Sequence, residues 1–151
     1  MNSLLEPEVL QVVQDRLGAL RPDSDARWGR MSVHQAVCHL ADAFRMVLGE
    51  RPTDLRGNLL SRTVIRFVAL TLPVTWPKSV ATAPEADQER GGTPPSEFRA
   101  DMAELEVLLG RFVAAAGRDM STHPLFGHLT PGEWGRWGYR HMDHHLRQFG
   151  V

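Results

Sequence analysis

The sequence has one cysteine, one lysine, one tyrosine, no unbroken apolar run of membrane length and no excess of either charge. Each scarcity excludes something. A single Cys38 cannot form an intramolecular disulfide, which fits a reducing compartment. The longest apolar stretch, Val64 to Trp76, is broken by Arg66 and Pro73 and falls short of a membrane span. The first residues, MNSLLEPEVL, lack the basic start and long apolar core of a signal peptide. Lys and Arg total 17 against 18 Asp and Glu, so no large electrostatic footprint marks nucleic acid or an anionic membrane as partner. Lys78 is the only lysine, and arginine supplies the rest of the positive charge. Strand-like alternation is missing apart from a weak Thr71–Thr75, and no internal repeat or low-complexity tract occurs. The expectation is a cytoplasmic protein whose partner is a small molecule.

What is present is ordinary for a folded domain: 151 residues, 42% apolar and 23% charged, read as a single domain over 1–151. Leu10, Val13, Leu17 and Leu20 recur at helical spacing and predict a first helix over Glu6–Leu20. Ser32 with Gln35 three residues on is a capping-box pattern that opens a second helix, running to about Leu48 and stopped by Gly49. Asn58–Leu72 carries few polar residues and reads as a third, mostly buried helical segment ended by Pro73. From 73 to 95 a long loop rich in proline and glycine shows no periodicity. Phe98, Met102, Leu105, Leu109 and Phe112 form the stripe of a helix over Ser96–Ala116, and Arg118–Leu129 connects it to the last helix. That helix opens on Thr130, Pro131 and Glu133, a capping box with a proline start. The fold class expected is all-α, a four-helix bundle with one extra short helical segment.

The last helix holds the chemistry. At about 100° per residue, His141 and His145 fall within roughly 20° of the direction set by Trp134, while Asp143 points the opposite way and His144 lies on the flank. Two histidines four apart on an inward face are how one helix offers two imidazoles to one metal. On the second helix His39 shares a face with Ser32, Gln35, Ala36, Ala43 and Met46, with Asp42 near its edge, whereas His34 points toward solvent. A lone inward histidine is more often a core residue satisfied by a hydrogen bond, and an i, i+4 pair is the stronger signal. His39, His141 and His145 together offer three neutral nitrogens with positions left open, the pattern of a catalytic metal site. Cys38 is 100° from His39 and is expected as a packing thiol. His123 and His128 lie in a connector and are expected in solvent, and Trp134 and Trp137 are expected as core anchors.

Two stretches, WGRMSVHQAVCHLADAFR (28–45) and HPLFGHLTPGEWGRWGYRHMDHHLRQFG (123–150), resemble the DinB-like family of four-helix-bundle metalloproteins, in its branch of unknown function. The resemblance implies a divalent metal on one His of the second helix and an HxxxH pair of the last: His39, His141 and His145. Many members of that family follow the last ligand with Arg-Gly-Gln, whereas here Leu146, Arg147 and Gln148 follow His145. The activity implied is that of a metal-dependent thiol S-transferase, using a low-molecular-weight thiol, or of a hydrolase. Zinc or nickel is the expected metal, with iron as a further candidate.

In either reaction the metal supplies a nucleophile at neutral pH and a nearby polar group handles the proton. Candidates for that group are His144, Asp42, Gln148 and Gln35. Arg147 or an arginine of the third segment is a candidate for holding an anionic substrate. The alternative is a non-catalytic bundle that binds metal or a small ligand and forms a homodimer through the apolar third segment and the proline-rich loop.

Overall fold

A computed structural model describes residues 1–78, 80, 82–116, 118 and 120–151. Ser79 and Ala81 of the expected loop, and Asp119 of the expected connector, lie outside the described residues. The chain is all-α, with no strand among the described residues: α1 Pro7–Gly18, α2 Val33–Val47, a π turn Ser61–Ile65 running into α3 Arg66–Thr71, a 3-10 turn Pro84–Ala86, α4 Phe98–Ala115 and α5 Pro131–Gln148. The weak strand pattern at 71–75 forms the end of α3 and an irregular segment instead.

Both capping boxes are made. The Ser32 hydroxyl accepts from the Gln35 amide while the Gln35 side chain accepts from the Ser32 amide, and Thr130 and Glu133 exchange the same pair of bonds. Each satisfies two of the donors that a helix start leaves open. In α4 the cap is Glu97, whose carboxylate accepts from the amides of Arg99 and Ala100.

The second helix is the central one. It packs against α4, α5 and the 3-10 turn at once, so twelve of its fifteen residues are buried, including Val37, Leu40 and Phe44. Its partners close around an aromatic cluster: Phe44 lies 5.0 Å from Phe112 between ring centroids, and Trp137 stands 5.9 Å from each of them and at right angles to Trp134. Trp134 and Trp137 are core anchors, as expected. The first helix lies along α5, burying Val13 and Leu17, and Arg16 bonds Asp143 at 2.8 Å.

The third segment departs from expectation. It is mostly exposed, with Leu59, Leu60, Val64, Ile65 and Phe67 facing outward and only Ser61 and Leu70 buried. Few polar residues suggest burial, but apolar content constrains exposure in one direction only, and among the described residues no helix packs over the outer side of this segment. Arg66, through Glu133, and Arg140, through the carbonyls of Leu72 and Val74, tie it to α5.

Candidate metal centre

Ligand atoms of His39, His141 and His145 all lie within 4.8 Å of one another. His39 and His145 are 7% and 9% exposed and His141 is partly buried. The imidazole of His39 comes from the middle of α2, and the pair comes from successive turns of α5, as the helical spacing predicts.

The protons on these rings follow from their neighbours. His39 Nδ1 sits 2.8 Å from the Ala86 carbonyl, which only accepts, so Nδ1 carries the hydrogen and Nε2 presents a lone pair. Gln148 Nε2 donates to the Trp28 carbonyl at 2.8 Å, which turns Gln148 Oε1 toward His145 Nδ1 at 2.9 Å. His145 therefore also donates through Nδ1 and keeps Nε2 free. Gly29 makes this possible, because its backbone sits at φ 82° and a Cβ there would come within 2.8 Å of Gln148 Nε2. His141 Nε2 lies 3.0 Å from His39 Nε2 and donates to it, while His141 Nδ1 is buried without a partner among the described residues.

Burial holds all three rings neutral. It lowers the pKa of His39, and it takes His141 and His145 well below the ordinary histidine value, with the neighbouring imidazoles adding to the effect. The donor set fits a divalent cation of borderline softness: three neutral nitrogens, two with their second nitrogen already bonded to an oxygen. The orphaned Nδ1 of His141 would hold the ring's hydrogen if Nε2 served as a ligand.

Around the triad, His144 is partly buried and faces two indoles, with ring centroids 5.9 Å from Trp28 and 6.4 Å from Trp76, and stands edge-on to His145 at 5.2 Å. Trp76 also reaches to 6.1 Å from His141. Lys78 lies 4.5 Å from the Trp28 ring centroid. Of the other candidates, Asp42 is fully buried and its carboxylate faces Arg45, Arg51, Gln88 and Thr93. Both ends of the Gln148 amide are used, and Gln35 serves the helix cap. Arg147 is exposed and approaches Asp143 at 3.8 Å. A cleft of about 370 Å³ between the end of α1 and the start of α4 includes none of the histidines.

Two histidines depart from the solvent placement expected of them: His34 is half-buried and His123 is buried. His34 bonds Asp101 of α4 at 2.6 Å, and the thiol of Cys38 donates to the same carboxylate oxygen at 3.7 Å. Cys38 is buried, as expected, and burial and Asp101 push its thiol up to about 12. Because α2 is covered on several sides, its second polar face meets α4 rather than water. His123 is buried and stacked on Phe126 at 4.6 Å, its Nδ1 accepting from the amides of Leu125 and Phe126. His128 is exposed, as expected. The Ala86 and Trp28 carbonyls, which orient two of the rings, had no signal in the sequence, since any residue supplies a carbonyl.

No curated protein and no solved structure matches the chain. Residues 3–150 match the family described as "Protein of unknown function (DUF1569)", a span that takes in all three histidines and the carbonyls that orient them, and the chain belongs to that family.

Proposed function

We propose that this chain is a divalent-metal protein of the DinB-like four-helix-bundle type, its ion held by His39, His141 and His145, and that it is a small thiol transferase or hydrolase. The observation that carries the reading is the pair of oriented imidazoles. The Ala86 and Gln148 oxygens take the Nδ1 hydrogens of His39 and His145, so both rings keep an Nε2 lone pair. A divalent cation on neutral imidazoles acidifies a water or thiol that ligates it. Zinc and nickel suit this donor set best, and iron is the further candidate.

The chain's own residues supply the rest. Trp28 and Trp76 limit water on the side of His144. His144, beside His145 and outside the ligand set, is the group positioned to take a proton from a small molecule there. Asp42 and Gln148 are engaged in holding the site together. The test is the metal content of untagged protein and of His145→Ala purified in parallel. The expected result is close to one equivalent in the first and loss in the second, with the helical circular dichroism of both alike. Unchanged content in the variant would sink the assignment.

A second reading, a non-catalytic bundle that pairs with a copy of itself, is favoured by one observation: Leu59 is 80% exposed and heads a row of outward apolar side chains through Val64 and Phe67. Light scattering would then give twice the chain mass, falling to one chain mass for Phe67→Asp. A wild-type monomer at high micromolar concentration overturns this reading.

A further inference from the structure

We infer that Asp42 is a positioning residue that sets the tautomer of His39 through the 84–93 loop. The inference deepens the metal reading above and rests on it for one of its two readouts. A carboxylate with no exposure to water is costly unless its lone pairs are met. Those of Asp42 are met by five donors. Onto Oδ1 come Arg45 Nη1 at 3.1 Å, Arg51 Nη1 at 2.6 Å and the Thr93 hydroxyl at 2.7 Å. Onto Oδ2 come the Thr93 amide at 2.7 Å and the Gln88 side-chain amide at 3.2 Å. Three of the five belong to the loop, and Arg51 extends the hold by donating also to Thr93 Oγ1 and the Gly91 carbonyl.

The loop passes this anchorage on. Gly91 donates to the Pro84 carbonyl at 3.0 Å and Gly92 to the Asp87 carbonyl at 2.8 Å, which folds 84–92 into one knot. Gly92 is required there, since a Cβ would come within 2.8 Å of the Asp87 carbonyl group. Holding Gln88, Gly91 and Thr93 therefore holds Ala86, whose carbonyl takes the Nδ1 hydrogen of His39 at 2.8 Å. Asp42 and His39 lie three apart on one helix, so α2 supplies both attachments of the loop. When Asp42 no longer holds the loop, Ala86 leaves His39, and the lone pair on Nε2 is no longer fixed in place.

Arg45 separates this role from simple charge compensation. It bonds Asp42 as Arg51 does, but its other partner is Glu104 of α4 rather than the loop. The experiment compares wild type, Asp42→Asn, Arg51→Ala and Arg45→Ala, without metal and then with zinc. Long-range proton–nitrogen NMR correlations of the imidazoles read the tautomers. The expected result is His39 in the Nδ1–H form in wild type and Arg45→Ala, and mixed or Nε2–H forms in Asp42→Asn and Arg51→Ala. Zinc competition is expected to show about 10- to 100-fold weaker binding in the latter two. If Asp42→Asn fails to fold, Arg51→Ala carries the test. An unchanged tautomer in a folded Arg51→Ala overturns the inference, as do equal shifts in Arg45→Ala and Arg51→Ala. Shifted tautomers with no zinc bound by wild type support the positioning role and overturn only the assignment of zinc to the site.

Discussion

His39 and His123 carry the same side chain in opposite tautomers, because a carbonyl faces Nδ1 of the first and two amides face Nδ1 of the second. Burial keeps His123 neutral, with its pKa lowered to about 3. Below pH 6.5 the unfolded chain takes up a proton on this residue and the native protein does not until about pH 3. The contribution of His123 to stability is therefore full above 6.5 and lost as the pH falls, by about 1.4 kcal/mol per unit. His123→Asn retains an acceptor at the δ1 position and removes the titration. It is expected to be less stable at pH 7, through the lost stack on Phe126, but to lose about 2 kcal/mol less than wild type between pH 7 and pH 5 in urea unfolding of metal-free protein. Equal losses would show that His123 is not held neutral. At this scale the inward turn of His39, His141 and His145 was legible from spacing. The partial burial of His34 and the burial of His123 were not, because they depend on α4 and on the cap of the aromatic cluster, neither of which leaves a local pattern.

Among the elements, α5 was the most legible and α3 the least. Thr130, Pro131 and Glu133 announce the start of α5 within four residues. The sequence does not reveal that Glu133 also receives Arg66, 67 positions away, through two bonds of 2.8 and 2.6 Å. That bidentate pair, helped by the Thr130 bonds, takes the Glu133 carboxyl down to about 2 against the cost of its partial burial. A depressed carboxyl stabilises the fold above the unfolded value of 4.5 and loses that contribution as the pH falls toward 2, up to about 3 kcal/mol in all. Thr130→Ala removes the cap bond and the hydroxyl's bond to the Glu133 carboxylate, and is expected to cost about 1 kcal/mol. Glu133→Gln weakens the cap and the tether of α3 together, so it should cost more than Thr130→Ala at pH 7 and flatten the decline below pH 4.5. Melting curves at pH 7 and pH 3 check both. Equal costs for the two variants would mean that the Arg66 tether contributes nothing to stability. The same tether explains how an apolar segment expected in the core is held on the outside: Arg66 and Arg140 fasten it to α5, Leu70 alone of its leucines is buried, and Leu59 and Leu60 face water.

For the molecule as a whole, the three histidines join chain positions 102 and 106 residues apart, and the loop carbonyl at Ala86 and the Trp28 carbonyl add two further segments to the same point. Periodicity gave the direction of each histidine and the resemblance grouped the three, whereas the two carbonyls were the least accessible, since no pattern marks the loop that meets a ring. With an ion bound as proposed, the site would be a crosslink. An ion held by α2 and α5 binds the folded chain and not the unfolded one, so its binding free energy adds to stability. At a free zinc concentration 100 times the dissociation constant the gain is about 2.7 kcal/mol, which for a chain of this length raises the melting temperature by roughly 5–10 °C. Metal-free wild type is expected to show that rise on titration with zinc, and His145→Ala to show none. A rise of the same size in His145→Ala would mean that zinc stabilises the protein from elsewhere. The other convergence of ligand atoms among the described residues is His34, Cys38 and Asp101, which joins α2 to α4 instead. Cys38→Ser then separates the two: it leaves a shift that originates at the triad intact and removes one that originates at the thiol.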